Sequence, residues 1–366
     1  MTDKHKNITV LALTALLLLG FSIWSWTKPP QKTSESERRL LAQFPEPKIE
    51  RILSGAWAKD FESYATDQFP MRETFRATKA FAAFHLMRLK DNNKIYRAGD
   101  HLSKIEYPMN EEMLEYAADL FRSIYEKHLG DSKVYFSIIP DKHYYLSGRN
   151  GYLAMDYDRL IETMRGATEY MPYIDLKDAL SIDRFYHTDA HWKQETLIPI
   201  AKLLGEAMGF DVQENYSVRT LETPLKGVYV GQYALPIRPD VLHYLVYEEF
   251  DALKITNFDS GTPVEIDVYD LERAKGQDAY DLFLSGASSL IEVENPNATS
   301  DRELILFRDS FGSSIAPLLT SGYRKITLVD LRYLPSKFLD RFIDFSRQDV
   351  LFLYSTTLLN NSKILR

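Results

Sequence analysis

Residues 303–314 read ELILFRDSFGSS, and their reading decides the fold. The opening run is apolar and β-prone, which predicts a strand buried on both faces. Asp309 and Ser310 end it, and the small residues behind them predict a turn into a helix. Ser310 then stands at a strand-to-helix corner, its hydroxyl exposed and the amide groups of the helix start beside it. Such amides suit an oxyanion. The stretch is not G-x-S-x-G, so the α/β-hydrolase elbow does not apply. A plain helix-capping role for Ser310 accounts for the same residues.

Outward from that stretch the chain alternates strand and helix. KVYFSIIP (133–140), YIDL (173–176), KITLVDL (325–331) and DVLFLYS (349–355) are short apolar runs. Between them lie helical patterns: NEEMLEYAADLFRSIYEKHLG (110–130) with Asn110 as cap and Gly130 as stop, DYDRLIETMRGATEYM (156–171), WKQETLIPIAKLLGEAMG (192–209) and PSKFLDRFIDFSRQ (335–348). Continuous apolar strands separated by helices predict a mainly parallel sheet covered on both faces, an α/β fold. VLHYLVYEEF (241–250) and TPVEIDVYDLE (262–272) instead predict antiparallel strands within a β-rich insertion at about 212–295. AWAKDFESYATDQF (56–69) and RETFRATKAFAAFHLMRL (72–89) predict helices in a preceding region.

A second stretch bears chemistry. FYHTDAHWKQ (185–194) places His187, Asp189 and His191 at alternate positions, with Trp192 next. The helical pattern from Trp192 sets His191 in a first helical turn, where the dipole disfavours imidazolium. Asp189 is near enough to counter that and to fix the ring's tautomer, as a serine's base requires. Asp189 as a simple helix cap and His191 as a surface residue fit equally well. If the stretch were extended, His187, Asp189 and His191 would share one face and offer metal ligands. No further ligand cluster accompanies them, so neither a metal nor a cofactor is expected.

The N-terminus is of another kind. Ile8 to Trp26 carries no charge over nineteen residues. That is close to the roughly 20 residues that cross a bilayer as a helix. Trp24 and Trp26 suit the interface, and Lys4 and Lys6 favour a cytoplasmic start. A cleaved signal peptide is the rival, but SIWSWTKPP offers no small-x-small site, which favours an uncleaved anchor. The expected organisation is a cytoplasmic stub and anchor at 1–28, a linker at 29–36, and one domain at 37–366 outside the cytoplasmic membrane. Without residues 1–28 the chain keeps 41 basic and 51 acidic residues, a net charge of −10. That sign and the lack of a basic cluster exclude nucleic acid. Absence of cysteine excludes disulfides, thiolate metal sites and a cysteine nucleophile.

With those residues in view, the chain resembles the DHHW family of bacterial exported proteins, related to the alginate O-acetylation proteins of the SGNH-like hydrolase superfamily. The name motif reads TDAHW here, with Ala190 in place of the first His. LFRDSFGSS matches the basic-Asp-Ser-aromatic block. SERRLLAQFP (36–45), YATDQFPMRETF (64–75), YDLFLSGASS (280–289) and LVDLRYL (328–334) resemble further blocks, so the likeness runs over roughly residues 36–356. It implies a three-layer α/β/α SGNH-hydrolase-like domain with a Ser310-His191-Asp189 triad. It implies an O-acetyltransferase or acetylesterase acting on a cell-surface or secreted polysaccharide, beside a membrane-bound O-acyltransferase. Ala287 stands where the family has Asn, so another oxyanion or substrate donor is needed. Gly231, Gln232, Gly286, Trp192 and Arg332 are the candidates. The rival is a non-catalytic polysaccharide-binding or assembly protein on the same fold.

Overall fold

The computed structural model describes residues 3–346 and 348–366. The chain forms two compact units, Met1–Asn93 with Val230–Ile237, and Lys94–Tyr229 with Arg238–Arg366.

The smaller unit is helical. Helix α1 (Asp3–Thr27) is long and apolar enough to cross a membrane and none of its residues is buried. Helices α2 (Ala56–Asp67) and α3 (Arg72–Phe81) follow the two predicted patterns. Phe44 packs edge-on against Trp57, Phe61 and Tyr64, the last three all from α2. Arg39 and Asp67 form a two-pronged ion pair, and Glu37 draws in Arg72 and Arg76.

In the larger unit the strands β1 (Lys133–Ile139), β2 (Tyr173–Asp175), β3 (Lys254–Asn257), β4 (Val264–Ile266), β5 (Leu290–Glu294), β6 (Glu303–Arg308), β7 (Lys325–Val329) and β8 (Asp349–Ser355) make one sheet. Its order is β4-β3-β5-β7-β6-β8-β1-β2. The run from β7 through β6, β8 and β1 to β2 is parallel, while β5, β3 and β4 add an antiparallel edge. Of the expected antiparallel strands, the one within 262–272 extends the sheet as β4, while the one within 241–250 pairs in a separate two-stranded ladder, Ser217–Thr220 with His243–Val246.

Period-two alternation divides the strand side chains between two cores. Leu304, Leu306, Leu351 and Leu353 face helix α7 (Ile198–Met208), which contributes Ile200, Ala201, Leu204 and Met208. Ile305, Phe307, Val350 and Phe352 face α4 (Glu111–His128) and α6 (Tyr157–Ala167). Helix α5 (Lys142–Asn150) follows β1, and the short α8 (Phe311–Ile315) follows β6. This is the mainly parallel, three-layer arrangement expected from the sequence.

Two expected helices differ. The pattern from Trp192 becomes a turn, and α7 begins only at Ile198. Pro199 in its first turn is the true start signal. Among the described residues of 335–348 a 3₁₀ turn at Ser336–Arg341 stands in place of the expected helix, with Leu339 and Ile343 still buried in the core.

Asn110 caps α4 as expected, its side chain accepting from the Met113 amide at 3.3 Å. Asn110→Ala should cost about 1 kcal/mol, within the usual loss for such a cap. Asn110→Asp should stay near wild type, and urea unfolding followed by circular dichroism checks both.

Candidate functional site

In an open α/β sheet, functional side chains gather beyond the carboxyl ends of the parallel strands. Here Lys142 follows β1, Ser310 follows β6 and Asp330 follows β7. Asp309 fixes the corner that carries Ser310. Its carboxylate accepts from the Phe311 amide at 3.0 Å and from the Ser355 amide, at the end of β8, at 2.9 Å. Gly312 lets the turn close over Arg308, since a Cβ there would lie 2.6 Å from the Arg308 Cβ. Arg308 is fully buried, 3.6 Å from the buried Asp330.

The stretch 185–194 is a tight loop. Tyr186 N–H donates to the His191 carbonyl at 3.1 Å, and Lys193 N–H to that of Arg184 at 2.7 Å. His191 is therefore not in a first helical turn, and no helix dipole bears on it. Burial is what opposes its imidazolium, and the charge and hydrogen bond of Asp189 outweigh burial, raising its pKa above 6.5. Nδ1 lies 2.6 Å from Asp189 Oδ1, and Nε2 lies 2.7 Å from Ser310 Oγ. Tyr280 stacks flat on the imidazole at 3.9 Å. The fold thus brings Ser310, His191 and Asp189 into one chain of contacts from positions 119 residues apart.

Partners that motif reading did not single out hold this loop. The Lys142 ammonium is buried with the carbonyls of Leu102, Tyr186, His187 and Asp189 around it at 2.6–3.0 Å, so its three N–H donors are shared among four acceptors. Burial lowers its pKa to about 7, although Asp189 and Asp240 raise it. Asp240 accepts from the His187 and Thr188 amides at 2.7 Å each and from the Thr188 hydroxyl at 2.6 Å. Val228 N–H reaches Asp189 Oδ2 at 2.8 Å. Gly227 permits this approach, because a Cβ would meet the Thr188 backbone at 2.1 Å. A lysine at the start of the helix that follows β1 is the local signal of Lys142; the rest depends on residues far apart in sequence.

The remaining candidates have other surroundings. Trp192 is fully buried and donates to Ser314 Oγ at 2.8 Å, so it packs the site from behind and cannot touch substrate. Tyr280 donates to that same hydroxyl at 2.8 Å. Gly286 has φ 84° and gives its amide to the Phe283 carbonyl at 3.0 Å, which removes it as an oxyanion donor. Gly231 and Gln232 belong to the smaller unit, where their carbonyls accept from Arg76 and Asn92. Arg332 is turned onto Asp330. Of the amides behind Ser310, those of Phe311, Gly312 and Ser313 are already bonded within the turn. Ser310's own N–H has no bond among the described residues and is the amide left to meet an oxyanion. His187 lies 3.6 Å from Asp240 and edge-on to His101, away from the Asp189–His191 pair as a ligand set. Among the described residues no group of three His, Asp or Glu side chains has metal-holding geometry.

No protein-family model and no curated protein matches the chain. Solved structures do. A DHHW family protein from Eubacterium siraeum superposes with a TM-score of 0.60 at 21 % identity, over 74 % of this chain and 92 % of that one. PatB1 of Bacillus cereus does so with a TM-score of 0.54 at 18 % identity, over 72 % and 96 %. The same protein with a sulfonyl adduct gives 0.54 at 17 %, over 72 % and 97 %. The O-acetyltransferase domain of Pseudomonas putida AlgJ aligns more loosely, with 0.39 at 16 % over 68 % and 84 %. The chain shares its fold with the DHHW family protein and PatB1.

Two outcomes follow. In Asp189→Asn, burial is opposed by the charges of Asp278 and Asp309 without that of Asp189, so the His191 imidazole should titrate at lower pH than in wild type. Proton NMR reads that directly. Lys142→Met takes the ammonium away from the Leu102, Tyr186 and Asp189 carbonyls, while that of His187 keeps the Leu102 amide at 2.7 Å; each unmet group costs about 1–3 kcal/mol. It should lower stability by about 3 kcal/mol in urea unfolding and speed amide exchange across 186–191.

Proposed function

We propose that the protein is an O-acetyltransferase or acetylesterase working through an acetyl-serine on a cell-surface or secreted polysaccharide. The observation that carries this reading is the unbroken run Asp189–His191–Ser310, at 2.6 and 2.7 Å. Serine is a poor nucleophile until a base in contact takes its proton, and that base needs a carboxylate to fix its tautomer.

His191 Nε2 takes the hydroxyl proton as Ser310 Oγ attacks the acetyl carbonyl. Asp189 holds Nδ1–H and stabilises the imidazolium, and the flat Tyr280 ring limits its movement. The Ser310 amide donates to the tetrahedral oxyanion. Collapse expels the donor's alcohol, which leaves with the proton from Nε2. A sugar hydroxyl, or water, then gives its proton to Nε2 and attacks the acetyl-serine, and collapse of this second intermediate breaks the Ser310 Oγ–acetyl bond as Nε2 returns the proton to Oγ. The acetyl group and the polysaccharide are inferred from the motif resemblance. Helix α1 supports placement as a single-pass protein of the bacterial cytoplasmic membrane with its larger unit outside, near a membrane-bound O-acyltransferase.

The binding-protein reading has one observation in its favour. Ala287, exposed in the 280–289 block, lacks the side-chain donor of the family's Asn. Turnover of a chromogenic acetate and of an acetylated polysaccharide decides between the two. Ser310→Ala and His191→Ala should each lower turnover by about 10⁶-fold, with the double variant no worse, and Asp189→Asn by about 10⁴-fold. His187→Ala should be nearly silent. The acid limb of the pH profile should lie above pH 6.5, because Asp189 lifts the pKa of the base that must be neutral. Absence of turnover in the folded wild type on every acetyl donor tested would leave the binding reading.

A further inference from the structure

A face of the smaller unit is open and apolar, and it lies against the anchor helix. The Phe21 ring stacks on Phe69 at 5.4 Å and meets Phe75 edge-on at 5.8 Å. Phe21 is six residues short of Thr27, the end of α1. At about 1.5 Å per residue that is roughly 9 Å inside the helix end. If α1 crosses the bilayer, side chains at the level of Phe21 are at or below the lipid headgroups. Yet Phe69 and Phe75 stay 37 % and 48 % exposed. Beside them opens a cavity of about 600 Å³, lined by both rings and by Thr66, Arg72, Arg76 and Lys79.

The sequence of α3 suits that position. Arg72, Phe75, Arg76 and Lys79 fall at i, i+3, i+4 and i+7, which puts them on one helix face. Arg72 and Arg76 are paired with Glu37, and the exposed Lys79 can carry its charge to headgroup level while its stem and the ring lie deeper. The exposed apolar residues continue past α3 with Leu86, Met87 and Leu89. In water such a face is unfavourable, whereas a lipid leaflet covers it.

We propose that the smaller unit is seated in the outer leaflet of the membrane that α1 crosses, with Phe69 and Phe75 among lipid acyl chains and Lys79 at the headgroups, while Arg72 and Arg76 stay paired with Glu37. This rests on α1 being an uncleaved span. The consequence is an anchor made of a partly immersed body as well as of the α1 span.

The chain has no cysteine, so a single introduced one carries a fluorescent probe at one place. Full-length Phe69→Cys, Phe75→Cys and Thr66→Cys, each labelled, are reconstituted into phosphatidylethanolamine–phosphatidylglycerol vesicles containing nitroxide-labelled acyl chains. Thr66→Cys removes no ring, and circular dichroism checks the fold of each. Leu18→Cys within α1 and Leu153→Cys, 67 % exposed in the larger unit, are the references. Probes at 66, 69 and 75 should be quenched by the acyl nitroxide nearly as strongly as at Leu18. They should be at least fivefold less sensitive to aqueous iodide than at Leu153. Quenching at Leu18 with iodide-sensitive probes at 66, 69 and 75 would overturn the proposal alone. Shielding of those probes from both quenchers would assign the face to a protein contact and also overturn it. An unquenched Leu18 probe would overturn it together with the reading of α1.

Discussion

One buried ammonium determines the shape of the site. Lys142 Nζ draws the carbonyls of Leu102, Tyr186, His187 and Asp189 to a single point. A cation without solvent is costly unless it is fully hydrogen-bonded, and these carbonyls supply that. The exchange is mutual, since the carbonyls of a buried loop also need donors. With the backbone of 186–189 so fixed, Asp240 can cap the His187 and Thr188 amides, and Val228 can meet Asp189. His191 is left with one direction in which to point, toward the end of β6. On that side Asp309, held between the Phe311 and Ser355 amides, sets Ser310 opposite the ring. Ser314 ties the halves together from beneath, through Trp192 and Tyr280.

Much of the fold was legible from local pattern. The strands β1, β2, β6, β7 and β8 are continuous apolar runs, and a parallel sheet buried on both faces requires such runs. Asn110 announced its helix because capping is a local hydrogen bond. Ser310 was legible for the same kind of reason, a strand that stops abruptly before small residues. The loop 185–194 was legible in composition and misread in conformation. Its helical spacing is real, but Trp192 and Gln194 spend their side chains on Ser314, and Gln194 also accepts from Leu245. Tertiary bonds of that kind outweigh a weak local propensity. The same commitment explains Trp192, an aromatic next to a histidine that packs the site from behind.

What was not legible depends on distance along the chain. Nothing around Lys142 or Asp240 says that they converge on one loop, because the convergence comes from the order of strands in the sheet. Gly286 and Arg332 sit in blocks that resemble a family, yet a block's presence does not say which atoms are already bonded. The Gly286 amide goes to Phe283, and Arg332 goes to Asp330. The Ser310 amide has no bond among the described residues and is the donor that the proposed reaction would use. The candidate site is thus sparer in donors than the sequence blocks imply, and more dependent on the loop that Lys142 and Asp240 hold.

The most direct test of the account is whether Ser310 is an activated nucleophile. A sulfonyl fluoride reacts at serine oxygen only where a neighbouring base takes the proton. Tryptic cleavage after Arg308 and Arg324 isolates residues 309–324, which also contain Ser313, Ser314 and Ser321 as internal controls. Fragmentation of that peptide by mass spectrometry should find a single adduct, on Ser310, forming faster as pH rises through the His191 titration and absent in His191→Ala. A folded wild-type protein that carries no adduct on Ser310, or one labelled equally well without His191, would contradict the triad.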